Sequence, residues 1–125
     1  MTDPKPGAVC HVEMTSTDLA STRKFLEGVF GWKFKKEEMG PDMEYWTFEA
    51  SNGPGGGLMG PMEGREPGTL NYVLVDSVDA SVKKVKAAGG TILMDKQEIP
   101  NVGWFATYMV PGGVMQAIYQ PKRKA

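Results

Sequence analysis

Cysteine is nearly absent from this chain of 125 residues, which contains a single one, Cys10. One cysteine can form neither an intrachain disulfide nor a multi-cysteine zinc site, and such sparse usage is typical of a reducing compartment. The sequence also lacks an apolar stretch long enough to span a bilayer, and its first residues lack the apolar core of a secretory signal. These absences predict a cytoplasmic protein with no membrane partner.

An excess of one charge sign is missing as well, because 14 Lys and Arg stand against 15 Asp and Glu. A basic excess is expected of a protein that binds phosphates of nucleic acid, so no nucleic-acid partner is predicted. Glycine and proline are plentiful, with 16 and 9 residues, and they lie between short runs of apolar residues. This pattern favours a strand-rich domain with tight turns.

The chain contains an internal repeat with a register of 59 residues. Residues 19–31 (LASTRKFLEGVFG) align with residues 78–90 (VDASVKKVKAAGG), and the same register places Tyr45-Trp46 on Trp104-Phe105. Two copies of one unit imply a pseudo-symmetric fold, in which a ligand site is expected where the copies curve around a shared cavity.

Each copy predicts one β-α-β-β-β module. In the first, Asp18 caps a helix that Gly31 ends, and the strands are predicted at 8–15, 32–38, 43–50 and 56–62. In the second, the helix is predicted at 78–88 and the strands at 70–75, 91–98, 102–110 and 114–120. The sequence therefore predicts an α+β fold and one domain over residues 1–125, with modules at approximately 7–63 and 68–121 and a linker at 63–68.

Several spaced motifs resemble the vicinal oxygen chelate superfamily, the group of glyoxalases, bleomycin-resistance proteins and extradiol dioxygenases. They are residues 11–19 (HVEMTSTDL), the helix end at 30–32 (FGW), residues 75–79 (VDSVD) and the turn at 110–113 (VPGG), where Val110 replaces the family's usual aspartate. The resemblance covers roughly residues 7–121 and implies cup-shaped mixed β-sheets and assembly as a homodimer. It implies no single activity, because members of this superfamily do very different chemistry.

Metal-binding members of the family present one ligand from the first and one from the last strand of each module. By resemblance His11 fills the first of these four positions, whereas the other three fall on Leu70, Gly57 and Ala117. Those three residues have no donor atom, so the resemblance favours no metal cofactor over a bound Zn, Ni, Fe or Mn ion. A shift of one residue in the alignment would put Gln116 in place of Ala117 and restore a donor.

Glu13 lies two residues after His11, so the alternation of a strand puts both side chains on one face. By resemblance this face lines the cavity. Glu13 and His11 are therefore the candidate catalytic residues, with Glu13 as a general base and His11 as its neighbour. The competing interpretation is an exposed strand glutamate beside a hydrogen-bonded core histidine.

Aromatic and apolar residues of the predicted strands indicate the chemical nature of a ligand. The candidate ligand-binding residues are Trp46, Leu70, Tyr72, Trp104, Ala117 and Tyr119, with Tyr45 and Phe105 as alternatives to their aromatic neighbours. A cavity lined in this way favours a small apolar or aromatic molecule. The alternative is that half of the aromatic rings pack against the helices, as period-two alternation demands.

The residues and the resemblance together favour a small-molecule-binding protein of the glyoxalase and bleomycin-resistance type with a degenerate metal centre. One alternative is a lyase, isomerase or dioxygenase that uses His11 with Glu13 or Gln116 on a divalent ion. In a metal-free variant of that enzyme, Glu13 is the base and His11 orients it. Another alternative is an interaction module without a ligand.

Overall fold

The same order of strands and helix occurs twice along the chain. The computed structural model describes residues 5–41, 43–50, 53–61 and 66–122. The first module consists of β1 (Val9–Thr15), α1 (Leu19–Phe30), β2 (Lys33–Glu38), β3 (Glu44–Glu49) and β4 (Gly56–Met59). The second consists of β5 (Gly68–Leu74), α2 (Val78–Ala87), β6 (Thr91–Ile99), β7 (Gly103–Met109) and β8 (Met115–Pro121). The predicted α+β fold with two β-α-β-β-β modules is confirmed.

Each module pairs its strands in the same way. In the first sheet the order is β2-β3-β4-β1, with β1 parallel to β4 and the other pairs antiparallel. In the second the order is β6-β7-β8-β5, with β5 parallel to β8. By its contacts the chain divides into two compact units, one at residues 11–70 and the other at the residues from 71 onward together with those that precede His11. The start of the predicted linker, residues 63–65, lies outside the described residues.

The predicted spacing of 59 residues holds where the elements begin. β1 and β5 start at Val9 and Gly68, and α1 and α2 start at Leu19 and Val78. The strand pairing shows that this register does not hold throughout. In the first sheet Gly57 of β4 pairs with Glu13, whereas in the second sheet Ala117 of β8 pairs with Tyr72.

The register changes within β6. Its pairing with β7 shifts between Ile92 and Met94, and again between Met94 and Gln97. Each shift adds a residue to one strand only, as a β-bulge does. Beyond these bulges the equivalent residues are 60 apart, so Tyr45-Trp46 correspond to residues 105–106. The predicted match of Tyr45-Trp46 to Trp104-Phe105 is therefore wrong.

Helix α1 begins and ends where its capping residues predict. The Asp18 side chain accepts a hydrogen bond from the backbone N–H of Ser21 at 3.0 Å and one from its hydroxyl at 2.9 Å. These bonds stabilise the carboxylate and hold the pKa of Asp18 below its usual value. At the other end Gly31 adopts the left-handed conformation with φ 73°, which glycine tolerates without a steric cost.

The two helices contribute differently to the core. Val78 and Val82 of α2 are buried in a cluster with Ala106, Tyr108 and Ile118. By contrast, α1 contains no buried residue, and Phe25 and Val29 are more than half exposed. The buried residues of the first module lie instead on its strands, with Phe48, Leu58 and Met59 at 5%, 0% and 4% exposure. Within the described residues, no helix is long and apolar enough to cross a membrane.

Candidate functional site

The candidate site lies on one face of the first sheet, which we call the polar face and define by His11, Glu13, Tyr45, Thr47 and Gly57. Strand pairing brings these residues together, because Gly57 of β4 lies beside Glu13 of β1 on one side and Thr47 of β3 on the other. Alternate residues of a strand share a face. His11 therefore accompanies Glu13, and Tyr45 accompanies Thr47.

Glu13 is at the centre of this group. Its Oε2 accepts a hydrogen bond from the Tyr45 hydroxyl at 2.7 Å and lies 3.5 Å from Nε2 of His11. The Glu13 side chain is 11% exposed and that of His11 is 34% exposed. A hydrogen bond to a carboxylate is stronger than one between neutral groups, so Tyr45 holds one oxygen of Glu13 in place. No described residue donates a hydrogen bond to the other oxygen, Oε1.

Gly57 provides the space in which Glu13 and Tyr45 meet. A Cβ atom at this position would collide with the Tyr45 hydroxyl and with Oε2 of Glu13. Any other residue here would force the two side chains apart, since glycine alone lets neighbouring groups approach the backbone so closely. The position at which the family resemblance places a metal ligand therefore accommodates a hydrogen-bonded pair instead.

A second carboxylate-hydroxyl pair extends the polar face towards β2. The Thr47 hydroxyl donates to Oε2 of Glu37 at 2.8 Å. Beyond it, an open depression of about 500 Å³ lies at the turn between β2 and β3, lined by Lys36, Glu37, Glu38, Met39, Gly40, Pro41, Met43 and Glu44. Neither Glu13 nor Tyr45 lines this depression.

Trp46, one of the predicted ligand-binding residues, lies on the opposite face of β3 from Tyr45. The guanidinium of Arg23 on α1 is 3.9 Å from the centre of its ring, and its Nε1 donates to Glu44 at 2.8 Å. The ring thus packs under the helix, and of the two neighbouring aromatic residues it is Tyr45 that contacts Glu13.

The corresponding face of the second sheet is largely apolar. We call it the apolar face and define it by Tyr72, Phe105, Thr107, Ala117 and Tyr119, which strand pairing places together. The rings of Tyr72 and Phe105 are 6.2 Å apart at their centres. Ala117 is fully buried, and Leu70, two residues before Tyr72 on β5, is also buried.

Trp104 and Gln116 lie on the other side of the second sheet. Trp104 packs against the cluster that contains Val78 of α2. The Oε1 of Gln116 accepts a hydrogen bond from Tyr108, a member of the same cluster, at 3.1 Å. Since Ala117 rather than Gln116 pairs with Tyr72, the alternative alignment that would bring Gln116 beside Tyr72 does not occur.

Two tyrosines of the second module are perturbed by their surroundings. Burial raises the pKa of Tyr108 above the usual 10.0. Burial also raises the pKa of Tyr119, and the nearby Cys10 raises it further. The Tyr119 hydroxyl donates to the carbonyl of Val102 at 3.1 Å, which anchors its ring at the end of the sheet.

The residues present do not fit the metal centre of the wider family. Of the four positions that the resemblance assigns, only His11 carries a donor, while Gly57, Leu70 and Ala117 are buried residues without one. Among the described residues, no three His, Cys, Asp or Glu side chains are grouped closely enough to hold a metal ion. A stable transition-metal site in a protein needs three or four such ligands.

Sequence reasoning paired His11 with Glu13 but did not assign Tyr45 and Gly57 to the same group. Strand alternation within β1 was sufficient for the first pair. The contact between Glu13 and Tyr45 spans 32 residues and depends on the pairing of three strands. The glycine run at 55–57 was the available signal, since a strand glycine often marks a close approach of other groups.

Solved structures with the same fold have very different sequences. The methylmalonyl-CoA epimerase of Mycobacterium tuberculosis superposes with a TM-score of 0.73 at 16% identity, covering 98% of this chain and 94% of its own. The hypothetical protein BH1468 of Bacillus halodurans superposes with a TM-score of 0.77 at 17% identity, covering 97% of this chain and 99% of its own. At these identities the similarity establishes the fold alone.

Two curated proteins are similar in sequence. The Mycobacterium bovis protein named "Putative glyoxylase CFP32" is 28% identical over 117 residues, which are 90% of this chain and 45% of that protein. The anthracycline biosynthesis protein DnrV of Streptomyces peucetius is 25% identical over an alignment of 139 residues that covers 96% of this chain and 49% of DnrV. The chain thus spans about half the length of these relatives.

The family itself is identified by its sequence model, which matches residues 8–114. This match includes both modules, from the strand that carries His11 and Glu13 to the turn that precedes β8. The chain belongs to the Glyoxalase/Bleomycin resistance protein/Dioxygenase superfamily.

Proposed function

We propose that this protein binds a small apolar or aromatic molecule and does so without a metal ion. The observation that carries the proposal is the composition of the apolar face, where Tyr72, Phe105 and Ala117 stand at positions equivalent to Glu13, Tyr45 and Gly57. Aromatic side chains offer flat surfaces on which an aromatic ligand can stack. The lack of donors at three of the four family metal positions supports the metal-free part.

The names of the relatives are consistent with this ligand class. DnrV takes part in anthracycline biosynthesis by its name. Anthracyclines contain fused aromatic rings, which are flat and largely apolar. We therefore propose a fused-ring aromatic compound as the type of ligand to test first.

The first test is the binding of 2-methoxynaphthalene, a small fused-ring probe, to protein treated with a chelator. We expect saturable binding, followed by the chemical shifts of backbone amides, that is the same before and after chelation. Phe105→Ala should weaken binding by about tenfold, because it removes a half-buried ring from the apolar face. Phe25→Ala, which removes a ring that is 61% exposed on α1, is the matched control and should leave binding unchanged. Equal binding by both variants would contradict the proposed surface.

The metal-free part has its own test, which is the metal content after loading with Ni, Zn, Mn or Fe and exhaustive dialysis. We expect no stoichiometric retention, because His11 has too few donor neighbours. Retention of about one ion per chain, lost in His11→Ala, would contradict the proposal.

A second candidate function is favoured by the Glu13 group. A carboxylate held by a phenol and placed near an imidazole has the composition of a proton-transfer site, with Glu13 as the general base. If the protein is an enzyme of this kind, Glu13→Gln should abolish turnover while a chelator leaves it unchanged. Glu49→Gln, an exposed carboxylate of β3, is the control. Turnover that a chelator stops would point instead to a metal-dependent lyase, isomerase or dioxygenase.

We further propose that the protein is a cytoplasmic homodimer, as the family resemblance implies. The test of assembly is the molar mass in solution by light scattering. Twice the 13.6 kDa of one chain is expected, and the mass of a single chain at all concentrations would contradict the proposal.

A further inference from the structure

We infer that Glu13 recognises a hydroxyl group of the ligand and that Tyr45 is the positioning residue that aims Glu13 at it. This inference rests on the proposed binding of a small aromatic molecule and narrows it to hydroxylated aromatic compounds. The structural basis is the division of labour between the two carboxylate oxygens. Oε2 of Glu13 is engaged by Tyr45 and lies near His11, whereas no described residue donates a hydrogen bond to Oε1.

Burial gives this arrangement its selectivity. The Glu13 side chain is only 11% exposed, so water competes poorly for its second oxygen. A carboxylate in such surroundings is stabilised by an incoming O–H donor, and the resulting charge-assisted bond is stronger than one between neutral groups. A ligand without a donor would leave Oε1 unpaired.

The neighbours of Glu13 favour a neutral donor over a charged one. An anionic ligand would be repelled by the carboxylate itself. A cationic ligand would be repelled by His11 whenever that imidazole is protonated, because its Nε2 lies only 3.5 Å from Oε2. A phenolic hydroxyl has neither charge and can donate to Oε1 while its ring lies flat on neighbouring apolar surface.

Gly57 fixes the direction of the group. Because a Cβ at this position would collide with both the Tyr45 hydroxyl and Oε2 of Glu13, the contact between the two depends on glycine. Gly57→Ala should therefore separate them without removing any polar group. Gly60→Ala provides a matched control, since a Cβ at Gly60 would meet no atom within 4 Å.

The test compares the binding of two probes with the same rings, 2-naphthol and its methyl ether 2-methoxynaphthalene. We expect the wild-type protein to bind 2-naphthol about tenfold more tightly, because only this probe can donate to Glu13. Glu13→Leu should remove the preference. Tyr45→Phe should reduce it to less than about threefold while the affinity for the methyl ether stays the same. A purely structural role of Tyr45 would instead weaken both probes equally.

Gly57→Ala gives a second route to the same answer and should lower the preference while Gly60→Ala retains it. Circular dichroism verifies that each variant is folded. Equal affinity of the wild-type protein for both probes, or a full preference in both Tyr45→Phe and Gly57→Ala, would overturn the inference and leave the proposed function standing. Failure of the wild-type protein to bind either probe would overturn both.

Discussion

The two modules share one strand order and one pairing pattern, yet equivalent faces of their sheets carry opposite chemistry. The first module places Glu13, Tyr45 and Gly57 where the second places Tyr72, Phe105 and Ala117. A hydrogen-bonded carboxylate occupies the polar face, and a pair of neighbouring rings occupies the apolar face. The sheet topology is therefore compatible with either chemistry, and function depends on the side chains at these positions.

The helices differ in a complementary way. α2 buries Val78 and Val82 in its own module, whereas α1 buries no residue and exposes Phe25 and Val29. Burial of apolar area is the main stabilising contribution in a domain, so the second module should be the more sensitive to changes at its helix. The comparison leads to three predictions about stability, from the largest effect to the smallest.

The largest effect is expected when the chemistry of the polar face is introduced into the apolar face. Tyr72→Glu places a carboxylate at a position that is 7% exposed and offers it no partner equivalent to His11. An unpaired buried charge costs about 3–5 kcal/mol of unfolding free energy near neutral pH. Urea denaturation measures the change. Asn71→Glu, on the exposed side of the same strand, is the control and should change stability by less than about 0.5 kcal/mol. Similar losses in both variants would show that the two faces are less different than they look.

A smaller effect is expected from matched valine substitutions in the helices. Val82→Ala removes two buried methyl groups and should lower the unfolding free energy by about 1.5–2 kcal/mol, with any cavity left behind adding to this value. Val29→Ala changes a side chain that is 55% exposed and should cost less than about 0.5 kcal/mol. Thermal and urea unfolding check both values. An equal loss in the two variants would indicate that α1 is covered by a surface beyond the described residues.

The smallest effect concerns alkaline pH. Burial raises the pKa of Tyr108 above 10.0, so the folded state retains this proton more tightly than the unfolded chain does. The resulting stabilisation is complete below the pKa of the unfolded chain and is lost as pH rises through the raised pKa. Tyr108→Phe should lower stability by about 0.5–1.5 kcal/mol near neutral pH, because it removes the bond to Gln116. It should also flatten the alkaline decline in unfolding free energy, and an unchanged slope would assign that decline to other groups.

Much of this architecture could be predicted from the sequence because its signals are local. Asp18 and Gly31 mark both ends of α1, and short apolar runs between turn residues mark the strands. The bulges of β6 could not be predicted in this way, because one or two unpaired residues leave the composition of a strand unchanged. They move the later strands of the second module by one residue relative to the first. This shift is the reason that the predicted match of Tyr45-Trp46 failed.

The candidate site divides along the same line. Strand alternation alone placed His11 and Glu13 on one face, because they belong to the same strand. The choice between Tyr45 and Trp46, and between Trp104 and Phe105, depended on which residue of each pair faces its helix. That orientation is set by pairing between strands, which adjacent residues in a sequence do not reveal.

The sequence by itself determined the family, the repeated module and the helix boundaries, because these depend on spacing and local capping within the chain. It also determined that Gly57, Leu70 and Ala117 lack metal donors, since this depends on residue type alone. Only the tertiary structure decided that Tyr45 meets Glu13 above Gly57 and that Gln116 turns away from Tyr72. Those contacts join strands that are distant in sequence, and a shift of one residue in their pairing would send each side chain to the opposite face.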